Sequence, residues 1–122
     1  MITHFDHVGL YVRDLDEAIK FFAELFGFGI RQRWNHPRQA FVGRGAAVLG
    51  LIEQKDYDDR RLLAAHIAFP CAKEDFPEFV AKLAQLGAEI VSGPQPQRNG
   101  ESVLFRDPSG NIFEICYPPF RN

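Results

Sequence analysis

One pattern in this chain of 122 residues constrains its fold more than any other: it occurs twice. His7-Val8-Gly9-Leu10-Tyr11-Val12 resembles His66-Ile67-Ala68-Phe69-Pro70-Cys71, each a histidine followed by a short apolar run. Each run leads into an acidic stretch, Asp14-Leu15-Asp16-Glu17 and Asp75-Phe76-Pro77-Glu78, with an acid three residues before a glutamate. That spacing predicts a capping box at the start of a helix. The helices that follow have apolar residues at helical spacing. Ile19, Phe22 and Phe26 with Ala23 and Leu25 form one face in the first, and Phe76, Phe79, Val80, Leu83 and Leu86 in the second. Gly27 and Gly87 are the predicted C-terminal stops, where a left-handed residue is needed. The histidines are 59 residues apart and the glycines 60, so the two halves run in step.

Short strands and turns follow each helix. Strands are predicted over 30–34, 39–42 and 46–52 in the first half, and over 89–91, 102–106 and 111–117 in the second. Asp107-Pro108-Ser109-Gly110 reads as a hairpin turn, and Asn99-Gly100 as a loop tip. Each half is therefore strand, helix, then three strands: an α+β chain of two βαβββ modules, about 3–54 and about 62–118.

Alternation along the strands indicates a site. Val8, Leu10 and Val12 form an aliphatic face that should pack on the helix, which puts His7, Gly9 and Tyr11 on the other face. His66 and Ala68 repeat that arrangement opposite Ile67 and Phe69. On the last strand Glu114 lies between Phe113 and Ile115, where a carboxylate is hard to explain as ordinary core. Two imidazoles at one repeat position and a carboxylate suit a divalent ion such as Mn, Fe, Zn, Ni or Co.

Composition narrows the rest. Twelve phenylalanines give a small domain bulky side chains to bury, and the net charge of −2 comes without any Lys/Arg run. Nucleic-acid binding is not expected. The apolar stretches are too short to span a bilayer and the N-terminal residues do not read as a secretion signal, so the expected location is the cytoplasm. Cys71 and Cys116 show no C-x-x-C spacing and are expected to be reduced thiols. His4 and His36 are expected to be solvated, and Arg31 and Arg33 to cover an exposed face.

From Phe5 to Pro118 the chain resembles the vicinal-oxygen-chelate (VOC) superfamily of glyoxalase I, fosfomycin-resistance proteins, bleomycin-resistance proteins and extradiol dioxygenases. The resemblance is carried by His7-Val8-Gly9-Leu10, His66-Ile67-Ala68-Phe69 and Asp107-Pro108-Ser109-Gly110-Asn111-Ile112-Phe113-Glu114. It implies a single VOC domain over 1–122, a half-open barrel of paired modules, and a homodimer. It also implies metal ligation by His7, His66 and Glu114. The fourth ligand of many relatives falls on Gly50, and Glu53, the nearest acid, points to the other face. Trp34 stands where the fosfomycin-resistance branch has an aromatic beside its substrate. Pro94, Arg98 and Leu104 stand where that branch's pattern has lysine, serine and tyrosine, which argues against fosfomycin itself.

The expected function is that of a metal-dependent lyase, isomerase or thiol transferase acting on a small oxygen-chelating molecule, with a thiol as the possible cosubstrate. Glu114 and Tyr11 are the candidate catalytic residues, and Trp34, Arg98 and Arg121 the candidates for substrate binding. The usual carboxylate base is missing at Gly50, which disfavours lactoylglutathione lyase activity. There are two alternatives: an Fe(II) extradiol-type dioxygenase using the same triad, and a metal-free protein that binds a drug-like molecule in a Phe- and Trp-lined cleft.

Overall fold

A computed structural model describes residues 1–58 and 65–120. The chain divides into two compact units, Met1–Asp58 and Asp59–Asn122.

The first unit runs β1 (Val8–Val12), α1 (Leu15–Phe26), β2 (Gly29–Asn35), β3 (Arg38–Arg44) and β4 (Ala47–Glu53). Its sheet has the order β1-β4-β3-β2, with β1 parallel to β4 and the other pairs antiparallel. The second unit runs β5 (Ile67–Pro70), a 3-10 turn (Lys73–Asp75), α2 (Phe76–Gln85), β6 (Ile90–Gln97), β7 (Gly100–Arg106) and β8 (Ile112–Tyr117). Its order, β5-β8-β7-β6, is the same, again with one parallel pair. The sequence repeat is thus a repeat of topology, strand for strand.

Helix α1 starts where predicted. The Asp14 carboxylate accepts from the Glu17 amide at 2.9 Å, and Gly27 ends the helix with φ 71°, its amide bonded to Ala23 and Phe22 carbonyls. The buried stripe is Leu15, Ala18, Phe21, Phe22 and Leu25, so the face is rotated from the predicted one and Ala23 is exposed. The second start differs from expectation. Asp75 makes no capping hydrogen bond, because it closes the 3-10 turn with helical torsions (φ −88°, ψ −15°). Pro77 in the first turn of α2 lacks the amide a cap would need to satisfy.

The strand predictions hold in place but not always in length. β6 continues to Gln97, well past Val91, through two prolines. It is an edge strand whose pairing with β7 shifts register between Ile90 and Ser92 and again between Ser92 and Gln95. Such irregular edges tolerate prolines, which have no amide to donate to the ladder. The loop tip at Asn99-Gly100 is a tight hairpin: Gln97 pairs with Gly100, and Arg98 and Asn99 take φ 41° and 66°.

Each sheet has an inner face against its helix. In the second unit, Phe113 stacks on Phe69 (6.2 Å) and Phe105 (5.9 Å), and Phe76 meets Tyr117 edge-on. In the first, Leu49, Leu51, Val42 and Phe22 are at most 1% exposed. The opposite face of each sheet carries the predicted site residues. The burial pattern of β1 alternates as expected, with Gly9 and Tyr11 exposed between Val8, Leu10 and Val12.

Candidate metal centre

The second unit brings together two of the three predicted ligands. β8 is flanked by β5 and β7, and its Glu114 pairs in register with Ala68 and with Leu104. Paired residues share a face, and His66, two residues before Ala68, lies on that same face. The His66 Nε2 stands 3.1 Å from the Glu114 Oε1. Glu114 is only 5% exposed, and its Oε2 is buried with no hydrogen-bond partner. Ser102, which pairs with Cys116 on the same face, has a buried hydroxyl that likewise lacks a partner. Buried polar atoms left unpaired are rare in folded proteins, and the Glu114 oxygen is the one of these that adjoins a predicted ligand. The donor chemistry fits a divalent cation: the unpaired carboxylate oxygen is a ready ligand beside an imidazole nitrogen.

The first unit holds the third. His7 Nδ1 is 2.7 Å from the Asp6 carboxylate. A carboxylate on Nδ1 fixes the tautomer that presents Nε2 as the lone-pair nitrogen, the usual arrangement behind a metal-bound histidine. Gly9 pairs with Gly50 in β4, as Ala68 pairs with Glu114 in β8, so Gly50 is the repeat mate of Glu114. The ring of Phe41, the β3 partner of Gly50, meets the His7 ring edge-on at 4.9 Å, and Trp34 meets Phe41 at 5.6 Å. An open pocket of about 240 Å³ beside them is lined by Asp6, His7, Arg31, Gln32, Phe41 and Val48. Among the described residues, no three His, Cys, Asp or Glu side chains are grouped closely enough to form a complete metal site.

The remaining predicted residues are placed as follows. Tyr11 is half-exposed and leans on Tyr57 (5.6 Å), about 13 Å along β1 from His7 at the rise of a strand. Arg98, in the β6–β7 hairpin, lies over the Phe120 ring (5.0 Å) and 3.8 Å from the Cys116 sulfur, two residues from Glu114. Arg121 lies outside the described residues. Glu53 has a structural role: it accepts from the Leu15 amide at 3.0 Å and from Arg38 at 3.1 Å, tying the start of α1 to the sheet. The Leu15 hydrogen bond, with help from Arg38, holds its carboxyl below the usual range. Arg33 pairs with Asp16 at 2.8 Å, so it contributes more than surface cover. His4 and His36 are exposed.

Cys71 and Cys116 are free thiols. Burial pushes both up from the ordinary thiol value, Cys116 further by the nearby Glu114. Neither is activated as a nucleophile. Phe41, Ser102 and Asp6 are the residues that sequence reasoning did not single out. Asp6 could have been found as the acid adjoining a candidate ligand; the other two depend on cross-strand register.

Comparison with known proteins agrees with this architecture. The model of the Glyoxalase/Bleomycin resistance protein/Dioxygenase superfamily matches residues 4–115. The glutathione transferase FosA of Serratia marcescens is 31% identical over 116 residues, covering 94% of this chain and 81% of that protein. The metallothiol transferase FosB of Lysinibacillus sphaericus is 30% identical over 117 residues, covering 93% and 82%. A crystal structure of a glutamate-to-glutamine mutant of the fosfomycin resistance protein FosX of Listeria monocytogenes, complexed with Mn(II) and 1S,2S-dihydroxypropylphosphonic acid, superposes with a TM-score of 0.81 at 23% identity, covering 94% of this chain and 92% of that one. With the repeated βαβββ topology and a family match along nearly its whole length, the chain belongs to the Glyoxalase/Bleomycin resistance protein/Dioxygenase superfamily.

Proposed function

We propose that this protein is a divalent-metal-dependent enzyme that adds an external thiol to a small electrophile bearing neighbouring oxygens. His7, His66 and Glu114 are the residues that would hold the metal. The observation that carries the reading is the buried Glu114 carboxylate, 3.1 Å from His66 and with one oxygen unpaired. When bound, the cation would act as a Lewis acid, polarising the substrate oxygens and stabilising negative charge that develops on them.

The chain's own residues supply orientation and a polar wall. Asp6 fixes the His7 ring, and His66 and the short β8–β5 ladder fix Glu114. Arg98, 3.8 Å from the Cys116 sulfur, offers a cation on the Glu114 side of that sheet. The attacking thiol comes from a cosubstrate, since burial keeps Cys71 and Cys116 protonated.

Two features favour addition over lyase or isomerase chemistry. FosA and FosB, both transferases, are relatives at 30% identity or above. The repeat mate of Glu114 is Gly50, which offers no carboxylate to remove a proton. The homodimer implied by the family resemblance and the cytoplasmic location expected from the sequence accord with this reading. No helix among the described residues is long and apolar enough to cross a membrane.

The test is a panel of epoxides, α-keto hemithioacetals and catechols, assayed with and without glutathione and Mn(II). Thiol consumption that needs both metal and epoxide supports the proposal. Isomerisation of a hemithioacetal without net thiol consumption, or Fe(II)-dependent oxygen uptake with a catechol, overturns it.

A further inference from the structure

The two modules match at their histidines and differ at one position, where Glu114 in β8 corresponds to Gly50 in β4. The neighbouring strand differs in the opposite sense. Glu114 pairs across the ladder with Leu104, and Gly50 with Phe41. The module with the larger side chain on its central strand has the smaller one on the adjacent strand, and the module with glycine has phenylalanine.

The geometry makes this exchange a matter of shared volume. A Cβ added at Gly50 would lie 2.9 Å from the Phe41 Cε1 and 3.6 Å from the His7 Cδ2. The first distance is shorter than carbon atoms tolerate, so any side chain at 50 must displace the Phe41 ring. That ring meets Trp34 edge-on at 5.6 Å and packs edge-on against His7 at 4.9 Å. It thus stands where a carboxylate paired with His7 would go, as Glu114 pairs with His66.

We infer that Phe41 is a positioning and specificity-determining residue: its ring fills a vacated ligand position, steadies His7, and puts an apolar wall there. Three consequences follow for the site, resting on the metal-dependent reading above. No carboxylate competes with the substrate for the metal. No base stands at that point of the first module. A substrate group in contact with the Phe41 ring itself is apolar, since a charged group there would lose its hydration, whereas Asp6, Arg31 and Gln32 make the rest of that pocket polar.

The inference is tested by transplanting the second module's pair into the first. Gly50→Ala, Gly50→Glu, Phe41→Leu and the doubles Phe41→Leu/Gly50→Ala and Phe41→Leu/Gly50→Glu are compared with the wild type. Melting temperature is measured with metal removed, and Mn(II) affinity by titration calorimetry. In the otherwise wild-type chain, Gly50→Ala is expected to lower the melting temperature by about 4 °C or more, and in the Phe41→Leu background by clearly less. The Phe41→Leu/Gly50→Glu double is expected to bind Mn(II) at least about tenfold tighter than the wild type, since it adds a carboxylate ligand, whereas Gly50→Glu alone does not. Gly50→Ala melting losses that are equal in both backgrounds overturn the claim that Phe41 occupies the position. A normal thermal coupling with no gain in Mn(II) affinity for the double overturns the claim that the position is a vacated ligand site. Failure of the wild type to bind Mn(II) counts against the proposed function instead, because the melting comparison uses metal-free protein.

Discussion

The His66 imidazole and the Glu114 carboxylate meet at 3.1 Å across a parallel strand pair, at the same repeat position where His7 faces Gly50 and the Phe41 ring. One module thus brings a histidine and a buried acid, the other a histidine and an aromatic wall.

Asp6 is the first place to test how the ligands are held. Its carboxylate, 2.7 Å from the His7 Nδ1, orients the ring. Asp6→Asn is expected to weaken metal binding about tenfold, within the range for such outer partners, with little effect on folding because Asp6 is exposed. Calorimetric titration with Mn(II), alongside the melting temperature, measures both.

The cores of the two units should respond strongly to truncation. Phe113 is fully buried between Phe69 and Phe105, and Phe22 is fully buried on α1. Phe113→Ala and Phe22→Ala are each expected to cost about 3–5 kcal/mol, read from the shift in urea midpoint. Phe113→Leu should cost much less.

Gly27 makes a sharper local test. Its φ of 71° is a conformation that costs a residue with a Cβ. Gly27→Ala is expected to destabilise by about 1 kcal/mol, while the exposed Ala23→Gly one turn earlier weakens the helix by a similar amount through entropy. Equal tolerance of Ala and Asn at 27 would contradict the left-handed cap, since Asn is the better fit there.

Stability should depend on pH through Asp107. Burial pushes its carboxyl up to about 6, against the hydrogen bonds from Asn111 and Ser109 that pull it down. A folded value above the unfolded one means that the folded chain holds the proton more tightly. The contribution is therefore full below the ordinary value near 3.8 and is lost as pH rises through about 6, by up to about 3 kcal/mol. Glu53 acts in the opposite direction at lower pH: its lowered value adds stability above about 4.5 that is lost on acidification. Chemical denaturation between pH 4 and 7 should show a downward slope that flattens in Asp107→Asn.

Much of this was legible in the sequence because repetition exposes it. His7 and His66 share a repeat position, and Glu114 is conspicuous between Phe113 and Ile115 in an otherwise apolar strand. The cap at Asp14 and the stop at Gly27 follow from local chemistry, and both formed as read. Asp75 has the same local pattern and failed, because a preceding 3-10 turn and Pro77 removed the geometry a cap needs. Phe41 and Ser102 could not be singled out, since each matters through its partner across a ladder and register is a tertiary property. β6 looked too short because its prolines signal a strand end, and only its edge position lets it continue.

The proposed function depends on a divalent ion held through His7, His66 and Glu114. It is tested by elemental analysis of protein purified without chelator, for the wild type, His7→Ala, His66→Ala and Glu114→Gln. A stoichiometric divalent metal is expected in the wild type and its loss in all three variants, each still folded by circular dichroism. A wild type with no stoichiometric metal after reconstitution with Mn(II), Zn(II) or Fe(II), or variants that keep it, would contradict metal binding by these three residues.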